Sequence, residues 1–191
     1  MISAVDEAVS RLLQNELGLK PGQIIDEPPG TFQNEGEITL SLYLFDMSEN
    51  VDLKEGQRVI ERPARDPKSG EVGKAVVRIP PVFFNLDYVV SPLSGVRRDI
   101  HNLLLDIELV MMRHAQLPPD LINNEVREQL AGPLRVSLVN GETDPLEFWQ
   151  AFGLPPRPAL FYRVILPVPI ELAYEARIVR ARKFRLYQRN P

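Results

Sequence analysis

The sequence predicts an α+β protein: a body of separate strands and helices, followed by an extended basic C-terminal arm. Three observations carry this. Apolar residues alternate at strand period in several stretches, they recur at helical period in others, and cations without acids crowd the last fifteen residues. The body is assigned to residues 1–170 and the arm to residues 171–191.

From the N-terminus, Ile2, Val5, Val9, Leu12, Leu13 and Leu17 mark an amphipathic first helix. Ser3 and Asp6 stand at the spacing of a capping box, and Gly18 is its stop. Residues 21–30 read as loop. Ile38, Leu40, Leu42 and Leu44 then alternate with Thr39, Ser41, Tyr43 and Phe45, the cleanest strand in the chain. Residues 46–74 are polar and read as short strands around a long hairpin tip, with a second strand from Ala75 to Ile79.

The stretch from Pro80 to Pro119 organises the rest. In its first part Val82, Phe84, Leu86, Tyr88 and Val90 share one face, while Asn85 and Asp87 fall on the other. This predicts a strand buried on one side. The period then changes: Ile100, Leu103, Leu104, Ile107 and Met111 form a helical face, with Ser94 placed to cap and Leu117-Pro118 placed to stop. A helix from Ser94 to Leu117 would be about 35 Å long. Leu105, Leu109 and Met112 lie off its main face, which predicts burial on more than one side, by the chain's own sheet or by a second subunit.

Residues 120–131 allow a short helix, and Leu134, Val136 and Leu138 alternate in a strand closed by Asn140-Gly141. Asp144, Pro145 and Glu147 occupy the cap, N1 and N3 positions of a helix carrying Leu146, Phe148, Trp149 and Phe152. Trp149, the only tryptophan, is expected as a core anchor. Leu160, Tyr162, Val164 and Leu166 alternate in a further strand, which Pro167 and Pro169 would confine to an edge or end. Beyond it the apolar content thins and no cap is visible, so Glu171 to Arg189 reads as extended.

The totals exclude several function classes. With 191 residues and no cysteine, the chain is long enough for a sizeable core and has neither a disulfide framework nor a thiolate metal site. The first residues lack a signal-peptide pattern, and no apolar run approaches the ~18 residues of a membrane span. The chain is therefore expected in the cytoplasm when synthesised, with no direct insertion into a membrane.

Catalytic residues, cofactor-binding residues and metal ligands are not predicted. His101 and His114 stand at opposite ends of one helix, and Asp106 and Glu108 are two apart, so neither pair faces the other. Gly70-Glu71-Val72-Gly73-Lys74-Ala75 resembles a phosphate loop only superficially: the glycines are too close, and Ala75 replaces the hydroxyl that would meet magnesium. The charge is unevenly placed. All 26 acids and 16 of the 22 Lys and Arg precede residue 177, leaving the body at −10, whereas the last fifteen residues carry Arg177, Arg180, Arg182, Lys183, Arg185 and Arg189 and sum to +6. An acidic body repels a duplex, so these six are assigned to a protein partner and nucleic acid is excluded.

The run Pro80-Pro81-Val82-Phe83-Phe84-Asn85-Leu86-Asp87-Tyr88-Val89-Val90 with its following helix resembles the N-terminal domain of the cap proteins of extracellular contractile injection systems, phage-tail-like particles of the virulence-cassette type. The opening Met1-Ile2-Ser3-Ala4-Val5-Asp6-Glu7-Ala8, the strand Leu40 to Asp46, and Phe148-Trp149 leading to Arg157-Pro158-Ala159-Leu160 agree with it. The likeness covers roughly residues 1–170, spread as pattern rather than held in one motif. It implies a phage tail terminator-like fold, a mixed, largely antiparallel sheet flanked by helices. It also implies a structural role: a homo-hexamer ring that terminates the inner tube and ties it to the sheath, with the arm cations on the sheath protein. The particle would be either released or membrane-associated. An alternative role is a baseplate or anchoring adaptor of the same kind of particle. Larger family members continue well past Pro191, and whatever their extension does is not carried over.

Overall fold

The computed structural model describes residues 1–33, 35–54, 59–61, 75–78, 80–139, 143–170 and 173–176. They fall into two units, one built from Met1–Lys54 with Pro81–Pro169, the other from parts of Glu55–Pro80 and Ile170–Pro191. In the first unit the elements are α1 (Ile2–Leu17), β1 (Ile24–Ile25), β2 (Thr39–Glu49), β5 (Val82–Ser94), α2 (Arg97–Arg113), α3 (Asn124–Glu128), β6 (Arg135–Leu138), α4 (Pro145–Ala151) and β7 (Leu160–Val168). The second holds β3 (Val59–Glu61), β4 (Ala75–Arg78) and β8 (Ala173–Ala176).

The first unit is a five-stranded sheet in the order β1-β2-β5-β7-β6, parallel only between β1 and β2. It is thus a mixed, largely antiparallel sheet, and helices cover both of its faces. On one face α1 and α2 lay Val5, Val9, Leu12, Ile107 and Met111 against Leu40, Leu42, Leu86, Tyr88 and Val164. On the other, α4 sets Phe148 and Trp149 against Val89 and Phe161, with Tyr43, Phe45 and Phe152 around them. The α4 cap is the one its residues predict: the Asp144 side chain accepts from the Leu146 amide, with Pro145 in the first turn. The second unit is a three-stranded antiparallel sheet in the order β3-β4-β8.

Several expectations are corrected. β5 is not buried on one side: Asn85 to Pro92 are buried without interruption, and on the face that Asn85 and Asp87 share α4 packs over Val89, Arg163 meets Asp87 and Asn50 meets Asn85. Ser94 does not cap α2. It closes β5 opposite Thr39, and its hydroxyl donates to the Glu37 carbonyl. The turn falls to Gly95, at φ 127°, where a Cβ would stand 2.9 Å from the Ile38 side chain; only glycine fits there.

α2 is correspondingly shorter, 17 residues or about 25 Å. It stops at Arg113 rather than Leu117 because Gln116 bridges Arg135 and the Leu117 amide donates to the Leu134 carbonyl. α1 has no side-chain cap either, for the Asp6 carboxylate accepts from the Tyr88 hydroxyl instead of from its own helix. Gly18 does end α1 in the left-handed conformation. β7 is an interior strand, between β5 and β6, and the prolines end it at Val168 without making it an edge. The phosphate-loop-like residues 70–74 and the Asn140-Gly141 turn lie outside the described residues.

Candidate assembly faces

The six cations assigned to a partner, Arg177, Arg180, Arg182, Lys183, Arg185 and Arg189, lie outside the described residues. Just before them the described chain is paired as a strand. Ala173 to Ala176 pair with Arg78 to Ala75 of β4 in antiparallel register, last in the order of the three-stranded sheet.

A second face belongs to α2. Leu105, Leu109 and Met112 follow one another at i, i+4 and i+7, and they are 56%, 49% and 64% exposed. Their spacing predicted burial on more than one side; in the single chain they are uncovered. Periodicity reports that a face is apolar, not which surface covers it. Leu109 and Met112 also line a shallow groove of about 640 Å³ with Leu17, Asp106 and Arg113. Its end is pinned by Glu16 of α1, 3.3 Å from the Arg113 guanidinium and 3.4 Å from the His114 imidazole. His114 caps the C-terminus of α2, whereas His101 is exposed in its second turn, so the two do not come together.

The buried polar groups are structural in their geometry. Asp87 and Arg163 stand opposite each other on β5 and β7, and the guanidinium grips the carboxylate with Nε at 2.7 Å from Oδ1 and Nη2 at 2.8 Å from Oδ2. Such a fork is planar, charge-assisted and orienting. Beside it the Asn50 amide donates to Asn85 Oδ1 at 2.8 Å. On the face covered by α1 and α2, burial raises the Tyr88 phenol far above its ordinary value, with the Asp6 hydrogen bond and charge adding to it. Burial raises Tyr162 in the same direction. Both phenols are held protonated, and neither is poised for proton transfer at neutral pH. Among the described residues no three His, Asp or Glu side chains gather closely enough to hold a metal ion. Trp149 is fully buried, as a core anchor should be. One residue that its sequence context does not single out is Arg157, whose guanidinium carbon lies 4.5 Å from the Trp149 ring centroid.

With this fold and these faces in view, the comparisons with known proteins are decisive for the family. The description of the Pvc16 N-terminal domain matches residues 4–180. The chain belongs to the Pvc16 N-terminal domain family. Two solved structures share the Pvc16 domain fold seen here. One is the sheath/tube terminator of an extracellular contractile injection system, PVC, in its extended state. It is 18% identical with a TM-score of 0.58, over 100% of this chain and 64% of that one. The other is the tube-terminating cap of the anti-feeding prophage, 15% identical with a TM-score of 0.51, over 95% of this chain and 60% of that one. This Pvc16 domain therefore spans less than two thirds of the length of either structure. A comparison with curated proteins finds no match. No helix among the described residues of the domain is long and apolar enough to cross a membrane.

Proposed function

We propose that this chain is a structural cap of a contractile, phage-tail-like particle, in which a ring of copies terminates the inner tube and ties it to the sheath. The observation that carries the reading is the agreement in fold over the whole chain with a sheath/tube terminator. Family membership from residue 4 to residue 180 supports it. The geometry is compatible with a protein that works by surfaces: the buried Asp87 carboxylate is paired with Arg163, the buried phenols are held protonated, α2 leaves an apolar stripe uncovered, and the sequence carries a cluster of cations after residue 176.

In this mechanism the body docks on the last tube layer and removes the surface on which another layer would add. The α2 stripe packs against a neighbouring copy in the ring. Six arms, each with Arg177, Arg180, Arg182, Lys183, Arg185 and Arg189, reach the sheath, and weak contacts become strong because the ring holds them at high effective concentration. Salt weakens the arm contact first, since exposed charge is screened within ~8 Å at physiological ionic strength.

The test is the mass of the purified protein in solution, by light scattering at low and high salt, alone and with tubes of its tube protein. A hexamer, or a monomer that becomes a six-fold ring only on tubes, is the expected result. A monomer indifferent to tubes at every salt overturns the cap reading. For the arm, the cut belongs after Ala176, because a cut before Ala173 would strip β8 from its sheet. The shortened protein is expected to assemble on tubes and to lose the sheath; a normally attached sheath end removes the arm from the mechanism.

A further inference from the structure

A ring of identical copies joins two unlike patches, because each copy turns one face to the neighbour ahead and another to the neighbour behind. In the ring proposed above, on which this contact rests, the α2 stripe is one patch and a second must receive it. The charges around the stripe say what that second patch carries. Asp106, exposed, flanks Leu109 on one side, and Glu108, half-buried, flanks Leu105 and Met112 on the other. Arg113, the cation at the end of the stripe, is already held by Glu16. An apolar and basic surface is the complement.

Among the described residues, the large exposed apolar side chains outside the stripe are Met1, Met47, Val51, Val96 and Leu146. Four of them keep acidic company: Met47 stands between Asp46 and Glu49, Val51 before Asp52, Leu146 before Glu147, and Met1 leads into the helix with Asp6 and Glu7. Val96 instead precedes two exposed cations, Arg97 and Arg98. These open the first turn of α2, which has no side-chain cap, and they face the positive end of its dipole. A cation there is unfavourable within the chain itself. At the same turn lies a pocket of about 270 Å³, walled by Phe32, Ile100, Pro155 and Pro156. Its lining includes Arg97 and His101 and no acid; Asp99 of that turn is not part of it. Neither Arg97 nor Asp106 makes an ion pair among the described residues.

We propose that in the ring the α2 stripe of one copy seats on the proline-walled pocket of the next, with Asp106 against the neighbour's Arg97. The prolines and Phe32 cover hydrocarbon that α2 leaves in water, and the carboxylate meets both a guanidinium and a helix N-terminus. The pocket lies at the start of α2 and the stripe runs from its middle to its end. Each copy therefore gives with one part of the helix and receives with another, which is the head-to-tail contact that a closed ring requires.

Charge exchange in the full chain tests this, with assembly followed by sedimentation at low salt, alone and on tubes of its tube protein. Asp106→Arg and Arg97→Asp both change exposed residues and spare the core. Each sets like charges together at every contact and is expected to weaken assembly at least about tenfold. Mixed in equal amounts, the two variants are expected to recover it, because copies alternating around a six-fold ring restore an opposite pair at every contact. Leu146→Ser, which trims an exposed apolar side chain elsewhere, is expected to leave assembly unchanged. Single variants that assemble like the native chain, a mixture as weak as its components, or an equal loss in Leu146→Ser overturns this contact and leaves the ring standing. A native chain that stays monomeric with and without tubes overturns the ring and the contact together.

Discussion

α1 and α2 are nearly the same helix on the inside and different helices on the outside. They are 16 and 17 residues long, and each sinks five side chains into the same core cluster against the sheet. Outward, α1 presents Ser3, Glu7, Arg11 and Asn15, with Arg11 paired to Glu7 one turn away. At the corresponding places α2 presents Leu105, Leu109 and Met112. The polar face of α1 is finished by water, whereas α2 leaves apolar area that water does not stabilise. Equal anchoring with unequal outer faces separates the part of the design that serves folding from the part that serves assembly.

The largest expected effect tests the shared half of this comparison. Leu13 and Ile107 are both fully buried, and truncation of either to alanine removes packed methyl groups and leaves a cavity. Leu13→Ala and Ile107→Ala are each expected to cost about 2–5 kcal/mol in urea unfolding. Should Ile107→Ala cost under about 1 kcal/mol while Leu13→Ala costs the full amount, α2 is held by something other than the sheet, and its outer face loses its meaning as a surplus.

The next effect tests the half that differs. Leu109→Asp puts a charge in the middle of the α2 stripe, and Asn15→Asp puts the same charge on the outer face of α1. Both sites are exposed, so each change is expected to alter unfolding stability by no more than about 0.5 kcal/mol. Self-association, followed by sedimentation, is expected to weaken at least tenfold in Leu109→Asp, about 1.4 kcal/mol, and to stay unchanged in Asn15→Asp. The reverse result would move the ring contact to α1 and leave the stripe as ordinary exposed surface.

Those two helices also show what could be read from residues and what could not. The inner faces were legible because i, i+3 and i+4 spacing is fixed by helix geometry, and the main strands of the sheet were legible through alternation. The Asp144-Pro145 cap was local enough to be read residue by residue. The errors came where a side chain has two possible partners. Ser94 and Asp6 carry the right chemistry to cap a helix, yet one bonds the Glu37 carbonyl and the other the Tyr88 hydroxyl, 82 residues away. Asn85 and Asp87 looked solvent-facing because the groups that meet them, Asn50 and Arg163, stand 35 and 76 residues away in the chain. β1, two residues long, is too short to show a period. The stripe on α2 was visible as apolar, but whether the chain itself covers it depends on three-dimensional placement. Arg157 gives no sign of its contact with Trp149 in the sequence, since only the fold brings the two together. The family resemblance joined these local readings into one sheet flanked by helices and left the strand order open.

The smallest effect lies inside α1, where Asp6 spends on Tyr88 the carboxylate that the helix start could have used. Burial raises the Asp6 pKa above 3.8; the hydrogen bond from Tyr88 opposes this and the charge of Asp26 reinforces it. In the unfolded chain the proton therefore leaves first. As pH rises from 3.8 through the raised value of the folded state, the folded state holds more of the proton, and stability falls across that window before levelling off. Asp6→Asn keeps an oxygen to accept from Tyr88 and has no proton to lose. Its melting temperature is expected to gain on the native protein as pH rises through the window and to hold that gain toward neutrality. A native protein whose stability instead rises relative to Asp6→Asn over the same range would mean that the Tyr88 bond outweighs burial. The inner face of α1 would then depend on a charge, unlike the apolar inner face of α2.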